Sequence, residues 1–233
     1  MTSIASCRLY TFVDTAYLHH RLASEVAKQL CDGGSDIIQL RAKGHSIGEI
    51  ARMADTLWPI AEQARVHFVI NDHPSIARCL GRPFVHLGQE DFFDAGYQHA
   101  GELDRESGKQ TANSTLGLIP SASDRRLQIG LSSHAPDQAE RAIAAGADYI
   151  AIGPVFATGT KPGRPPTTLT YVRWAAANVH IPWFAIGGIT LDNLDNVLEA
   201  GARRVCVVSA ILNAPNVAKA CQQFRERLLS APL

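Results

Sequence analysis

Two hydrophobic periods alternate along this chain, and the switch between them recurs. Short runs of β-branched and aromatic residues read as strands at residues 8–13, 36–40, 67–70, 84–87, 127–131, 148–152, 183–186 and 205–208. Between them apolar residues recur at helical spacing, as in Leu22, Val26 and Leu30, or in Ile47, Ile50, Ala54, Leu57 and Ala61. The predicted helices span 18–30, a stretch capped by Ser46 with Glu49 completing a capping box, 74–80, the stretch from Pro136 to Gly146, 168–178, 192–200 and 215–229. A further helix is read within 92–103.

Strict alternation of this kind, with continuous apolar strands, implies a parallel sheet covered on both faces. A weak repeat supports it. Gly34-Ser35-Asp36, Gly81-Arg82-Pro83, Gly146-Ala147-Asp148 and Gly201-Ala202-Arg203 each close a helix and lead into a strand. Eight such units predict an α/β fold, a single (β/α)8 TIM barrel domain over 1–233. A doubly wound sheet would need fewer strands and a Gly-rich turn after the first; here that turn is Asp14-Thr15-Ala16-Tyr17. One stretch breaks the alternation. Residues 104–123 are rich in Gly, Ser, Asn and Gln without a period, and read as a loop within an insertion at about 94–124.

Composition narrows the partners. Hydrophobic residues make up 46% and charged ones 19%, with a formal net charge of zero, so no overall field draws the chain to nucleic acid or a membrane. Any anion site must be local. No apolar run approaches the roughly 18 residues of a membrane span, and no basic-then-apolar leader opens the chain; the expected location is cytoplasmic. Five cysteines without a C-x-x-C pair read as small buried hydrophobes in a reducing compartment. The oligomeric state is left open.

In such barrels the chemistry sits at the C-terminal rim of the strands. Strand two delivers Gln39, Arg41 and Lys43 there; strand three Asn71 and Asp72; strand four His86, Gln89 and Asp91; strand five Ser132 and His134; strand six Thr158, Thr160 and Lys161; strand seven Gly187 and Gly188; strand eight Val208 and Ser209. Asp72 and Asp91 follow consecutive strands and suit one shared hard cation, Mg²⁺, completed by water and phosphate oxygens. The alternative is that each caps a local turn or helix. Arg41, Lys43 and Lys161 beside a metal pair point to a diphosphate. Gly187-Gly188 and Val208-Ser209, after strands seven and eight, form the usual barrel phosphate site. Plainer readings stand beside these: a simple glycine turn, a solvated loop Lys161, a structural His134, and a His86 that serves backbone groups inside the barrel.

Seven motifs in order resemble thiamine phosphate synthase: Q-L-R-A-K at 39–43, N-D at 71–72, H-L-G-Q-E-D at 86–91, G-L-S-S-H at 130–134, G-P-V-F-A-T-G-T-K at 153–161, A-I-G-G-I at 185–189 and V-V-S-A-I at 207–211. The resemblance implies a (β/α)8 barrel that joins hydroxymethylpyrimidine diphosphate to a thiazole phosphate and releases pyrophosphate, with Mg²⁺. It assigns Gln39, Arg41, Lys43, Asn71, Ser132 and Lys161 to the pyrimidine diphosphate, with Arg41, Lys43, Lys161 and Ser132 as the catalytic contacts. Asp72 and Asp91 would bind Mg²⁺, and Thr158, Thr160, Gly188, Val208 and Ser209 the thiazole phosphate.

Two features depart from that pattern. Asp91 and Ser132 stand roughly 40 residues apart, long for one βα unit, and a Pro-rich loop at 162–166 follows Lys161. The nearest rival is the related thiazole tautomerase, in which His134 would move protons. A non-catalytic phosphate-binding barrel is the rival of another class. Lys43, Asp72 and Asp91 speak against the tautomerase, which has no diphosphate to neutralise, and the presence of both aspartates speaks against the non-catalytic barrel, which could lose the metal pair.

Overall fold

Every strand pairs in parallel with the next, and the eighth pairs with the first. The sheet is a closed barrel in the order β1 to β8. This is the architecture of a computed structural model that describes residues 3–81, 84–105, 126–158 and 166–231. The strands are β1 (Leu9–Asp14), β2 (Ile37–Arg41), β3 (His67–Asn71), β4 (Phe84–Leu87), β5 (Gln128–Ser133), β6 (Tyr149–Ile152), β7 (Trp183–Ile186) and β8 (Val205–Cys206). The helices are α1 (Ala23–Asp32), α2 (Ile47–Gln63), α3 (Pro74–Cys79), α4 (Gln89–Asp94), α5 (Glu102–Arg105), α6 (Pro136–Ala144), α7 (Thr168–Asn178), α8 (Leu194–Glu199), α9 (Ser209–Leu212) and α10 (Val217–Ser230).

The strands are apolar because both faces are buried. One face meets the helix layer, where Val26, Leu30, Ile50 and Leu57 pack. The other fills the lumen. There Tyr10 and Tyr149 each meet Phe184 edge to face, with ring centroids 5.4 and 5.8 Å apart. At the base of the barrel two of the repeat's aspartates tie strands together. The Asp36 carboxylate accepts from the amides of Arg8 and Leu9 at 2.8 and 3.0 Å, and Asp148 accepts from Ile129 at 2.8 Å. All four repeat glycines, Gly34, Gly81, Gly146 and Gly201, adopt positive φ, the left-handed conformation that ends a helix cheaply only without a Cβ.

The two ladders of β8, with β1 and with β7, are the shortest at two register pairs each. The closure with β1 pairs Leu9 with Val205 and Tyr10 with Cys206, against five pairs between β1 and β2. β8 stops two residues earlier than its apolar run, because Val208 leaves the strand to cap α9. Two helices differ from expectation. The helix read at 18–30 begins only at Ala23: His19 and His20 take positive φ, and the Arg21 guanidinium binds the carbonyls of Leu18, Tyr17 and Leu212. The helix read within 92–103 is two short pieces, α4 and α5. Gly96 at φ +91° ends the first, and the Ala100 amide is drawn to the Ala145 carbonyl at 2.7 Å.

Candidate active site

The rim divides into two halves. Strands β5 to β8 surround a cavity lined by Ser132, His134, Thr158, Gly188, Val208 and Ser209, among others. Four of the expected thiazole phosphate residues therefore meet at one place. Gly187 and Gly188 take φ of +102° and +64°, and the β6 loop presses on both. A Cβ on Gly187 would stand 2.5 Å from Pro154, and one on Gly188 would stand 2.6 Å from the Ala157 carbonyl oxygen. Backbone hydrogen bonds from Val155 to Ile186 and from Phe156 to Gly187, at 2.8 and 3.0 Å, hold that approach. Gly187 and Gly188 both line the cavity. Asn193 anchors the pair, accepting from the Thr190 amide and donating to the Gly188 carbonyl, each at 2.9 Å. His134 stands on the same wall with its Nδ1 hydrogen-bonded to the Gly153 carbonyl.

The other half belongs to β1 to β4 and is ionic. Arg41, the last residue of β2, bonds Asp14 at 2.7 Å; Asp14 is the last residue of β1 and its register partner. The Asp14 side chain is 1% exposed and also accepts from the Ala16 amide at 3.0 Å. Beyond β3, Asp72 takes φ +61°, a conformation Asp tolerates better than most residues. Its carboxylate accepts from the Asn71 amide at 2.6 Å and lies 3.8 Å from the Lys43 ammonium. Asp72 does not cap α3, whose N-cap is His73. Asp91, in the first turn of α4, lies close over Gly88, where a Cβ would meet its carboxylate at 2.4 Å.

Among the described residues no group of three or more His, Cys, Asp and Glu is gathered for a metal. The donor set on this half is two carboxylates, Asp72 and Asp91. It fits a hard cation that takes its remaining ligands from water and a phosphorylated substrate, and it does not fit a closed structural site.

Gln39 of the ionic half and Ser132 of the cavity half are both buried. The Gln39 amide donates to the Tyr10 hydroxyl at 2.6 Å, and Tyr10 and Tyr149 hydroxyls lie 3.2 Å apart. His86 bridges from the Tyr149 hydroxyl, 3.3 Å from Nδ1, to the Ser132 hydroxyl, 3.0 Å from Nε2. Burial pushes both phenols above their ordinary range, so they stay protonated. Thr160 and Lys161 lie outside the described residues.

A family model described as thiamine monophosphate synthase matches residues 9–100 and 119–211. The chain belongs to the thiamine monophosphate synthase family. A thiamine-phosphate synthase from Thermus thermophilus is 43% identical over 199 residues, covering 84% of each chain. One from Acidothermus cellulolyticus is 39% identical over 234 residues, covering 98% of each. A solved structure, thiamine phosphate pyrophosphorylase from Pyrococcus furiosus, superposes with a TM-score of 0.79 at 25% identity, covering 98% of both chains. Within the thiamine monophosphate synthase match, residues 101–118 go unmatched, inside the stretch read as an insertion; most of that stretch lies outside the described residues.

For this member of the thiamine monophosphate synthase family, the sequence reading misses three kinds of residue. Asp14 is one, since no rim residue was drawn from strand one, although it ends that strand as Asn71 ends β3. Asn193 is another, and the D-N pair before α8 is its signal. The third is Tyr10 with Tyr149, which no local pattern connects.

Proposed function

We propose that this chain is a thiamine-phosphate synthase, a transferase that joins the methylene carbon of a pyrimidinylmethyl diphosphate to the ring nitrogen of a thiazole phosphate. The C–O bond to the diphosphate breaks, its electron pair leaves with pyrophosphate, and the thiazole nitrogen supplies the pair for the new C–N bond. No proton has to move at the reacting atoms, so the scheme asks for no general base and no protein nucleophile.

The observation that carries this reading is the divided rim, with a glycine-lined phosphate cavity on β5 to β8 and a charged half on β1 to β4. The thiazole phosphate keeps its charge throughout and suits the fixed main chain around Gly188 and Ser209. The diphosphate gains charge as it departs and suits Arg41 and Lys43, because cations beside a developing charge lower the barrier. Asp72 and Asp91 would hold Mg²⁺, which when bound neutralises charge on the leaving pyrophosphate.

Local charge supports a need for that cation. Of the side chains named on the ionic half, Arg41 and Lys43 stand against Asp14, Asp72 and Asp91, leaving one net negative charge. Lys161 would bring that balance to zero, so a divalent ion would supply the net positive charge that a diphosphate needs. The test is a pyrophosphate-release assay with each substrate alone, with both, and with Mg²⁺ titrated. Release requiring all three is the expected result. Release from the diphosphate without its thiazole partner, or none at all, overturns the reading.

A further inference from the structure

One loop crosses the seam where the barrel closes. Residues 14–22 leave β1 and run toward α9, and the bonds at the two ends of this stretch reach both halves of the site. At its start, the Asp14 carboxylate accepts from Arg41 at 2.7 Å and from the Ala16 amide at 3.0 Å. At its far end, one guanidinium gathers three carbonyls. Arg21 donates from Nε to Leu18 at 2.8 Å, and from Nη2 to Tyr17 and to Leu212, each at 2.7 Å. The first two belong to the loop itself; Leu212 is the last residue of α9. His19 adds a second link, its Nε2 standing 2.9 Å from Oδ1 of Asn213, the residue that follows α9. The path is not relaxed. His19 and His20 stand side by side at φ +47° and +68°, a conformation that residues other than glycine keep only where their surroundings hold them in it.

These bonds steady a weakly held piece of the rim. α9 is four residues long and follows β8, which has two register pairs on either side. Burial of Ile211 and Leu212 fixes the depth of α9, but apolar contact has no direction and leaves its tilt open. A cationic donor suits the carbonyls that a helix leaves open in its last turn, and Arg21 takes one of them. A helix of four residues is only about 6 Å long, so a shift at Leu212 arrives at Ser209 little diminished. Val208 and Ser209 line the cavity; Arg21 does not.

We propose that Arg21 is a positioning residue for the thiazole phosphate: it pins α9 to the β1–α1 loop across the seam and so sets where Val208 and Ser209 meet the ligand. The proposal rests on the synthase reading above and deepens it. Without the guanidinium, α9 visits other tilts, and only the fraction of molecules in the competent one binds. Apparent affinity falls by that fraction. A bound phosphate then holds α9 in place and leaves the chemical step as it was, so the loss is one of binding and not of turnover. Asp14 ends a strand with five register pairs to β2, so the Arg41 end of the loop stays where it is.

The experiment titrates wild type, Arg21→Ala and Arg21→Lys with thiazole phosphate in the absence of the pyrimidine, then measures the KM for each substrate, kcat and the melting temperature. Arg21→Ala should raise the dissociation constant and the KM for thiazole phosphate about tenfold, the worth of the one charge-assisted bond to Leu212. The KM for the pyrimidine diphosphate and kcat at saturation should keep their wild-type values. Arg21→Lys keeps the charge but not the fork that reaches three carbonyls, and should fall between the two. A merely structural role predicts a lower melting temperature with unchanged thiazole phosphate affinity, and that result overturns the proposal; so does an equal rise in both KM values. If Arg21→Ala does not fold, Arg21→Lys is judged by the same ratio of KM values. A wild type that does not bind thiazole phosphate at all overturns the synthase reading, and the proposal with it. A wild type that binds it no better than Arg21→Ala does overturns the proposal alone.

Discussion

Asp14→Ala should weaken the barrel and the rim together. The Asp14 carboxylate is 1% exposed and bonds an Arg41 side chain that is 14% exposed, at 2.7 Å. Removing one partner of a buried pair strands the other charge, at a cost of about 3–5 kcal/mol. Arg41 has some access to water, so the lower figure of about 3 kcal/mol applies. Loss of the bond from the Ala16 amide adds about 1 kcal/mol. Unfolding entropy of roughly 2.1 cal/mol/K per residue gives a chain of 233 residues about 0.5 kcal/mol per degree, so the melting temperature should fall by about 8 °C. Asp14→Leu combined with Arg41→Met replaces the pair by apolar groups and should recover most of that stability. Turnover should not recover; Arg41→Met, alone or in the pair, should cost about 10²–10³ in kcat. Melting curves of Asp14→Leu, Arg41→Met and the double complete the cycle. Additive losses, or an Asp14→Ala that melts like wild type, would show that the ion pair does not hold Arg41 in place.

Gly188→Ala forces a Cβ into a positive-φ position 2.6 Å from the Ala157 carbonyl oxygen, and should raise the KM for thiazole phosphate at least about tenfold with that for the pyrimidine unchanged; equal effects on both would dissociate Gly188 from the phosphate cavity. Asp72→Asn and Asp91→Asn should each demand more Mg²⁺ for half-maximal rate, and a wild-type Mg²⁺ response in both would dismiss the shared-ion scheme. Burial pushes the Cys31 and Cys221 thiols up to about 11 and about 12. The unfolded chain sheds those protons above about pH 8.5 while the folded one keeps them, so their contribution is intact below that pH and is lost as pH rises through 11 and 12. Urea unfolding from pH 8 to about 10.5 should show that decline, and a flat profile would contradict it. Lys161→Ala should slow turnover more than it weakens thiazole phosphate binding, as single-turnover rates and a binding titration would reveal.

How legible all this was in the sequence depends on the range of the interactions involved. β7 at Trp183–Ile186 and α7 at Thr168–Asn178 coincide with their apolar patterns, because each is decided by residues within one or two turns of one another. The rim was readable because a parallel barrel delivers each strand's final residues to the same end. That is why Arg41, Asn71, Ser132 and Gly188 could be named in advance. Local conformation was harder. Leu18 and Leu22 continue the period of α1, yet His19 and His20 turn left-handed between them, held by tertiary bonds that Arg21 makes to Leu212. The polar chain in the lumen was not legible at all. Tyr10 and Tyr149 are 139 residues apart, and only barrel closure and strand register bring their hydroxyls together.

The two-pair ladder between β1 and β8 has a consequence for the order of assembly. Closing it joins residues about 200 positions apart, and loop closure on that scale costs about 5 kcal/mol in chain entropy. Few bonds repay it, so this seam is the natural last step of folding. Until it closes, Val208 and Ser209 are held to the rim through β7 alone, by a ladder of two pairs. Closing the seam therefore steadies the wall that β8 gives to the cavity on β5 to β8. A phosphate-bearing ligand that binds only the finished cavity draws the seam shut by mass action, and so acts as a folding partner for the very strand that receives it.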